Sequence, residues 1–348
     1  MNESASASYH LSTFRRQAPA GWDASLARLG GNYYLSPAFS RALAKEGSEP
    51  VFFRLSRDGV DIGLGLGFLT NHWKRWPARV LTRGFQWQTH PVVVGDDPEL
   101  LERFVRMIVA EMEQLGVNHI KLHSEDARLS PTTLAADGFS LTERLEFRVK
   151  LSADPAEVIS RIASRKRTYL RSAIKASTLQ IREENKVESV GRMIDFQAVS
   201  RERRRQRGED YAIATSSAAN AIYQNYVAPG NGRIFISYQA DQPDQALSGI
   251  LLHCDQGRAY YTMSGCSEAG FAVNAQMMTV WGAIEKMCAE GYSELNMGGV
   301  HATAADSSDL GHGLYRFKRS FGGDEIRCLT WEKSYSGLRS KIAGMLKL

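Results

Sequence analysis

The chain has 348 residues, 43% of them hydrophobic and 23% charged, with a formal net charge of +5. That length exceeds one typical core and suits two domains of roughly 150–170 residues each, in an ordinary soluble globular protein. Met1–Ser12 is rich in Ser and Ala without an apolar core, which excludes a signal peptide or membrane span there, so a cytoplasmic protein is expected.

Residues 1–22 read as a poorly ordered N-terminus. Val51–Leu55 and Ile62–Leu69 then form a hairpin around Arg57-Asp58-Gly59. Leu101, Phe104, Val105, Ile108, Met112 and Leu115 recur at helical spacing, Gly116 stops that helix, and Val117–Leu122 reads as a strand. A helix is expected over Ala153–Thr178, led by Asp154 as cap and Pro155 in the first turn. Arg233–Tyr238, Leu247–His253 and Ala259–Met263 are strands. A further helix starts near Asn274, stops at Gly291 and leads into a strand, Glu294–Met297. The order hairpin, helix, strand thus occurs twice, which suggests internal duplication. The expected domains are 23–150 and 151–335, followed by a C-terminal amphipathic helix in 336–348.

Cys254, Cys266, Cys288 and Cys328 lack C-x-x-C spacing and read as buried thiols. His119 and His123 lie four apart but on a strand, so no metal site is expected, and no cofactor. The charge is unevenly placed. Seven basic residues and no acidic one lie between Arg161 and Arg182 (Arg161, Arg165, Lys166, Arg167, Arg171, Lys175, Arg182), and Arg201, Arg203, Arg204, Arg205 and Arg207 are opposed by Glu202 alone. One-sign clusters point to a polyanionic partner such as RNA or a diphosphate; the alternative is a solvated basic helix.

The most telling stretch runs from Leu295-Asn296-Met297-Gly298-Gly299-Val300 to Gly313-Leu314-Tyr315-Arg316-Phe317-Lys318-Arg319-Ser320-Phe321-Gly322-Gly323. It frames one lysine, Lys318, with aromatics and glycines downstream of a buried strand; the alternative is a surface strand of alternating charge. Together with Arg165-Lys166-Arg167, Lys175, Arg203–Arg207, Ala259-Tyr260-Tyr261, Ser264-Gly265 and Trp281-Gly282-Ala283-Ile284, it resembles the Fem family of aminoacyl-tRNA-dependent peptidyltransferases. The likeness covers most of residues 150–330 and, more loosely, 25–150.

The resemblance implies an α/β (α+β) fold of two tandem GNAT-like domains, each a mixed, mostly antiparallel sheet flanked by helices. It implies an acyltransferase in which an amine attacks the ester of an aminoacyl-tRNA, the acceptor being a cell-wall peptide precursor or a small natural-product intermediate. Phe317 and Lys318 match the pair thought to stabilise the oxyanion, where a preplaced ammonium is worth about 3–4 kcal/mol. Tyr261 and Tyr315 stand in the same motifs as substrate contacts. The family's long coiled-coil arm is missing, which leaves Arg165, Lys166, Arg167, Arg171 and Lys175 as the tRNA surface. In the first domain Arg41 or Lys45 replaces the family's phosphate-contacting lysine, and Arg203 or Arg207 matches its second phosphate contact. Where the family often has Asp, this chain reads His123-Ser124-Glu125-Asp126, making His123 a proton acceptor alongside Asp126, Asp306, Asp309 or the substrate itself.

Two other readings stand beside this one. A GNAT-type N-acyltransferase would use acyl-CoA or an acyl carrier protein, but the loop Glu268–Asn274 has one glycine and no arginine to hold a pyrophosphate. A non-catalytic RNA-binding protein would use the basic helix alone.

Overall fold

The computed structural model describes residues 8–43, 48–71, 83–176, 178–206, 208 and 214–335. Their strands are β1 (Tyr9–Arg15), β2 (Ser48–Arg57), β3 (Val60–Asn71), β4 (Arg83–Trp87), β5 (Val92–Val93), β6 (His119–His123), β7 (Ser140–Lys150), β8 (Leu179–Glu183), β9 (Gly232–Gln239), β10 (Ala246–Asp255), β11 (Arg258–Cys266), β12 (Glu294–His301) and β13 (Asp324–Ser334). The chain divides into two compact units, Met1–Arg144 with Cys328–Leu348, and Leu145–Arg327.

The first unit orders its sheet β1-β2-β3-β4-β6-β13, with β5 on β3. The β2–β3 hairpin turns at Asp58 and Gly59, both at positive φ (51° and 78°), as the Asp-Gly pair anticipates. A helix over Pro98–Gln114 covers the sheet; Asp97 caps it by accepting from the Glu99 and Leu100 amides at 2.9 and 3.2 Å. Phe104, Val105, Ile108 and Met112 lie fully buried on the inner face of that helix, each such burial stabilising by about 1.5–3 kcal/mol. The helix connects β4 to a parallel neighbour, β6, whereas β1, β2 and β3 pair antiparallel.

The second unit repeats the order as β8-β9-β10-β11-β12-β7. Four strands lead, a helix (Ala275–Ala289) connects β11 to the parallel β12, and a sixth strand closes the edge. The duplication read from the sequence is therefore present as a shared strand order, and both units are GNAT-like. The closing strands come from outside each consecutive block: β13 completes the first unit and β7 the second.

Several expectations need correction. Residues 9–15 are not a loose terminus but β1, paired with β2 from Tyr9↔Arg57 to Arg15↔Val51. Its alternation was weak because the strand lies at a sheet edge and no side chain in it is fully buried. The boundary at 335 fails because Thr330–Ser334 pairs with β6, which places the end of β13 in the first unit. The helix expected over Ala153–Thr178 is two helices, Pro155–Arg161 and Ser164–Ala176. Asp154 does cap the first, accepting from the Ala156 amide at 2.8 Å. The break falls at Ile162, which is extended (ψ 138°), and the next amide, Ala163, donates to the Ser320 carbonyl at 3.1 Å. The C-terminal helix proposed for 336–348 lies outside the described residues.

Candidate functional site

The second unit's site begins where two strands part. The β11–β12 ladder runs from Arg258↔Glu294 to Tyr260↔Asn296 and stops there, although β11 continues to Cys266 and β12 to His301. Two local features end it. The β10–β11 register shifts between Leu251 and Leu252, a bulge that re-aims β11 after Tyr261. On β12, Gly298 takes φ +68° and gives its amide to the Asn296 side-chain oxygen at 2.7 Å instead of to the ladder. Asn296 is itself 1% exposed, and its Nδ2 finds no acceptor among the described residues.

Beyond the fork lies a cavity of about 360 Å³. Tyr261, Ser264 and Cys266 of β11 form one wall, Gln276 and Met277 of the Ala275–Ala289 helix another, and Leu314 and Phe317 a third. Lys166, Arg203 and Arg204 stand at the same cavity, and no carboxylate lines it. Tyr261 accepts a hydrogen bond from Gln276 Nε2 at 3.2 Å, and burial raises its phenol pKa, so it stays protonated. Burial also pushes the Cys266 thiol up to about 11, which makes it a wall and not a nucleophile. The Val187–Arg205 helix brings Arg203 here because Gly265 lets it approach: a Cβ on Gly265 would lie 2.5 Å from that of Phe196. The Arg203 guanidinium then stacks 3.7 Å above the centre of the Phe271 ring.

Residues 313–319, left open between a cleft edge and a surface strand, belong to a helix, His312–Arg319. Phe317 lines the cavity, whereas Lys318 is 7% exposed and does not. Its ammonium donates to the Gly299 carbonyl at 3.1 Å and would stand 3.4 Å from a Cβ at Gly298, a point also 3.7 Å from the Tyr261 carbonyl. Lys318 thus sits at the strand fork, next to the cavity's Tyr261 wall.

A second, shallower groove of about 750 Å³ adjoins the first cavity. Arg161, Arg165 and Lys166 line it from one side, and His312, Tyr315, Arg316 and Arg319 from the other. Lys166, Gly313 and Phe317 line both spaces. Tyr315 is more buried than a substrate contact need be: its hydroxyl donates to Glu325 and accepts from Arg319, both at 3.0 Å.

The remaining sequence candidates lie elsewhere. Arg171 and Lys175 are exposed along the basic helix without lining either space, and Arg167 donates to the Ser160 carbonyl. Arg41 borders a surface depression with Arg16 and Trp22 in the first unit. Lys45 and Arg207 fall outside the described residues. His123 belongs to the first unit, where one ring nitrogen lies 2.9 Å from Thr330 Oγ1. Its pKa is lowered to about 4 by burial, then by the charges of Lys121 and Arg144. Asp306 and Asp309 spend their carboxylates on turn amides, those of Ser308 and Gly311, which hold both below the usual carboxylate range. The sequence assigned no site role to Phe271, Gln276, Met277, Leu310, Leu314 and Arg316; Gln276 and Met277 lie on a helix outside the sequence motifs and meet the others only in the folded unit.

Residues 234–329 match the FemAB family. Over that segment the chain is similar to the FemAB family. The matched FemAB segment spans β9 to β13 and holds the strand fork, Phe317 and Lys318. In three dimensions the chain is similar to FemX, with a TM-score of 0.72 at 13% identity over 96% of this chain and 100% of that one. It is also similar to L-PGS from Bacillus licheniformis (TM-score 0.52, 13% identity, 95% and 96% covered). A tandem GNAT protein from the clavulanic acid biosynthesis pathway gives 0.54 at 9% identity, with 94% and 99% covered. At such identities these likenesses establish the fold. No curated protein sequence gives a significant match.

Proposed function

We propose that this chain is an aminoacyltransferase that moves an amino acid from aminoacyl-tRNA to an amine acceptor, either a cell-wall peptide precursor or a small natural-product intermediate. The observation that carries the reading is the shared wall: an inner, largely apolar cavity and an outer basic groove meet at Lys166, Gly313 and Phe317. A donor with a small acyl group on the end of a polyanion has that shape and charge. The FemAB match, which includes Gly313 and Phe317, supports it.

In the reaction the acceptor nitrogen adds to the ester carbonyl carbon, the carbonyl oxygen becomes an oxyanion, and the bond to the ribose oxygen then breaks. Lys318, with its charge buried at the fork, stabilises the oxyanion, where low polarity strengthens the interaction. The amine loses one proton and the departing ribose oxygen needs one. We assign that transfer to the substrates: the cations around the cavity are acids, and the two nearby loop carboxylates are weakened as bases by their turn hydrogen bonds. His123→Asn checks this, since unchanged turnover is expected. Dependence on charged tRNA implies a cytoplasmic reaction, and among the described residues no helix is long and apolar enough to cross a membrane.

The test is incubation with a pool of charged tRNAs and candidate amine acceptors, read by mass spectrometry. Products should carry one added aminoacyl mass and vanish after ribonuclease treatment; products that persist without RNA defeat the reading.

A second reading, acyl transfer from acyl-CoA, gains from one observation. Arg203 over Phe271 brings to the Glu268–Asn274 loop the arginine its own sequence lacks. Tight calorimetric binding of acetyl-CoA, with no tRNA requirement, would favour it.

A further inference from the structure

We propose that the outward side of the His312–Arg319 helix is a phosphate-binding face, on which Arg316, with Arg165 and Lys166 across the groove, holds the single-stranded end of an RNA. This rests on the aminoacyl-tRNA reading and names the surface that seats the carrier.

Elsewhere in the chain many arginines pair with carboxylates. Arg54 pairs with Asp61, Arg106 with Asp137, Arg192 with Glu184, Arg258 with Glu294, and Arg233 with both Glu183 and Glu290. Around the outer groove that habit lapses. Among the described residues the side chains of Arg165, Lys166 and Arg316 form no ion pair or hydrogen bond, and no carboxylate lines the groove. Three unneutralised cations facing one trough repel one another unless an anion joins them. The groove also offers rings. Phe317 lines it, and His312 lies near-parallel to Tyr315 with centroids 5.8 Å apart. Aromatic rings among cations are what unpaired bases and their phosphates use.

Helix geometry links this face to the chemistry. Arg316 and Lys318 are two residues apart, about 200° around the axis, so one points outward while the other is buried. A phosphate held by Arg316 therefore sets the RNA end relative to Lys318 through two residues of one helix and no flexible link. Arg316 is in this sense a positioning residue. A flat anionic membrane fits less well, because the cations line a trough between two helices and not a protruding surface.

The probes are deacylated tRNA and the same tRNA lacking its 3′ single-stranded nucleotides, titrated by fluorescence anisotropy between 50 and 200 mM salt. Wild type should prefer the intact RNA by about tenfold, and Arg316→Gln should erase that preference. Each lost phosphate contact should flatten the slope of log K against log salt by about 0.7. Arg316→Lys should restore most of the binding, and in turnover Arg316→Gln should raise KM for charged tRNA more than it lowers kcat. Equal binding of both RNAs by wild type, or an unchanged salt slope in Arg316→Gln with an unchanged melting temperature, overturns the inference alone. A wild type that binds neither RNA, or that binds acidic lipid vesicles in their place, overturns the aminoacyl-tRNA reading as well.

Discussion

At Lys318 a primary ammonium is held at 7% exposure, 3.1 Å from the Gly299 carbonyl. Replacing it by Met keeps the stem and removes the charge, so Lys318→Met should lower kcat about 100- to 1000-fold while tRNA affinity stays within about twofold, measured by steady-state turnover and anisotropy. Gly298 is the complementary probe. At φ +68° an alanine costs about 1–2 kcal/mol, and its methyl would stand 3.4 Å from the ammonium. Gly298→Ala should therefore lower the urea midpoint and kcat together, with KM for acceptor little changed. Lys318 and Phe317 were readable from the motif because a charge framed by aromatics is a local pattern. Asn296 was not, since its oxygen caps Gly298 only once β12 has turned away from β11.

Among the elements, the Val187–Arg205 helix shows how helix–strand packing positions a side chain at the cavity. It rests on Gly265, where a Cβ would be 2.5 Å from that of Phe196, with backbone of the same residue 2.6 Å away. Gly265→Ala should overpack this contact and destabilise by about 1–3 kcal/mol, seen as a lower urea midpoint, and should displace Arg203 from Phe271. One helix start was legible from Asp154-Pro155, where Asp154 caps as expected. The break at Ile162 was not, because the partner of the Ala163 amide is Ser320, on a distant stretch of chain. The helix over His312–Arg319 was missed for a related reason. At eight residues it spans only about two turns, and its inner face is made by Tyr315 and Lys318, one aromatic and one charged, so no apolar stripe marks it.

Across the whole molecule, buried imidazoles set the response to acid. Burial lowers His90 and His253 to about 3 and His123 to about 4, against 6.5 for a free histidine. The unfolded chain takes up these protons near pH 6.5 and the folded chain only below about 4, so the stability is full above 6.5 and falls as pH drops between those limits. A tenfold weaker hold on a proton in the folded chain corresponds to about 1.4 kcal/mol. Urea midpoints at pH 7, 5.5 and 4.5 should decline steadily, and His90→Gln should flatten the decline. The amino-acid order alone gave two domains, the Asp154 helix cap, the duplicated hairpin-helix-strand order and the lysine motif, because each is written in length, in neighbours or in a short period; the GNAT-like plan came from the resemblance. Only the tertiary structure decided that β7 and β13 close the sheets, that β11 and β12 part after Tyr260, and that Lys166, Arg203, Tyr261 and Phe317 surround one cavity. Those facts depend on hydrogen bonds and contacts between residues far apart along the chain, for which no local pattern exists.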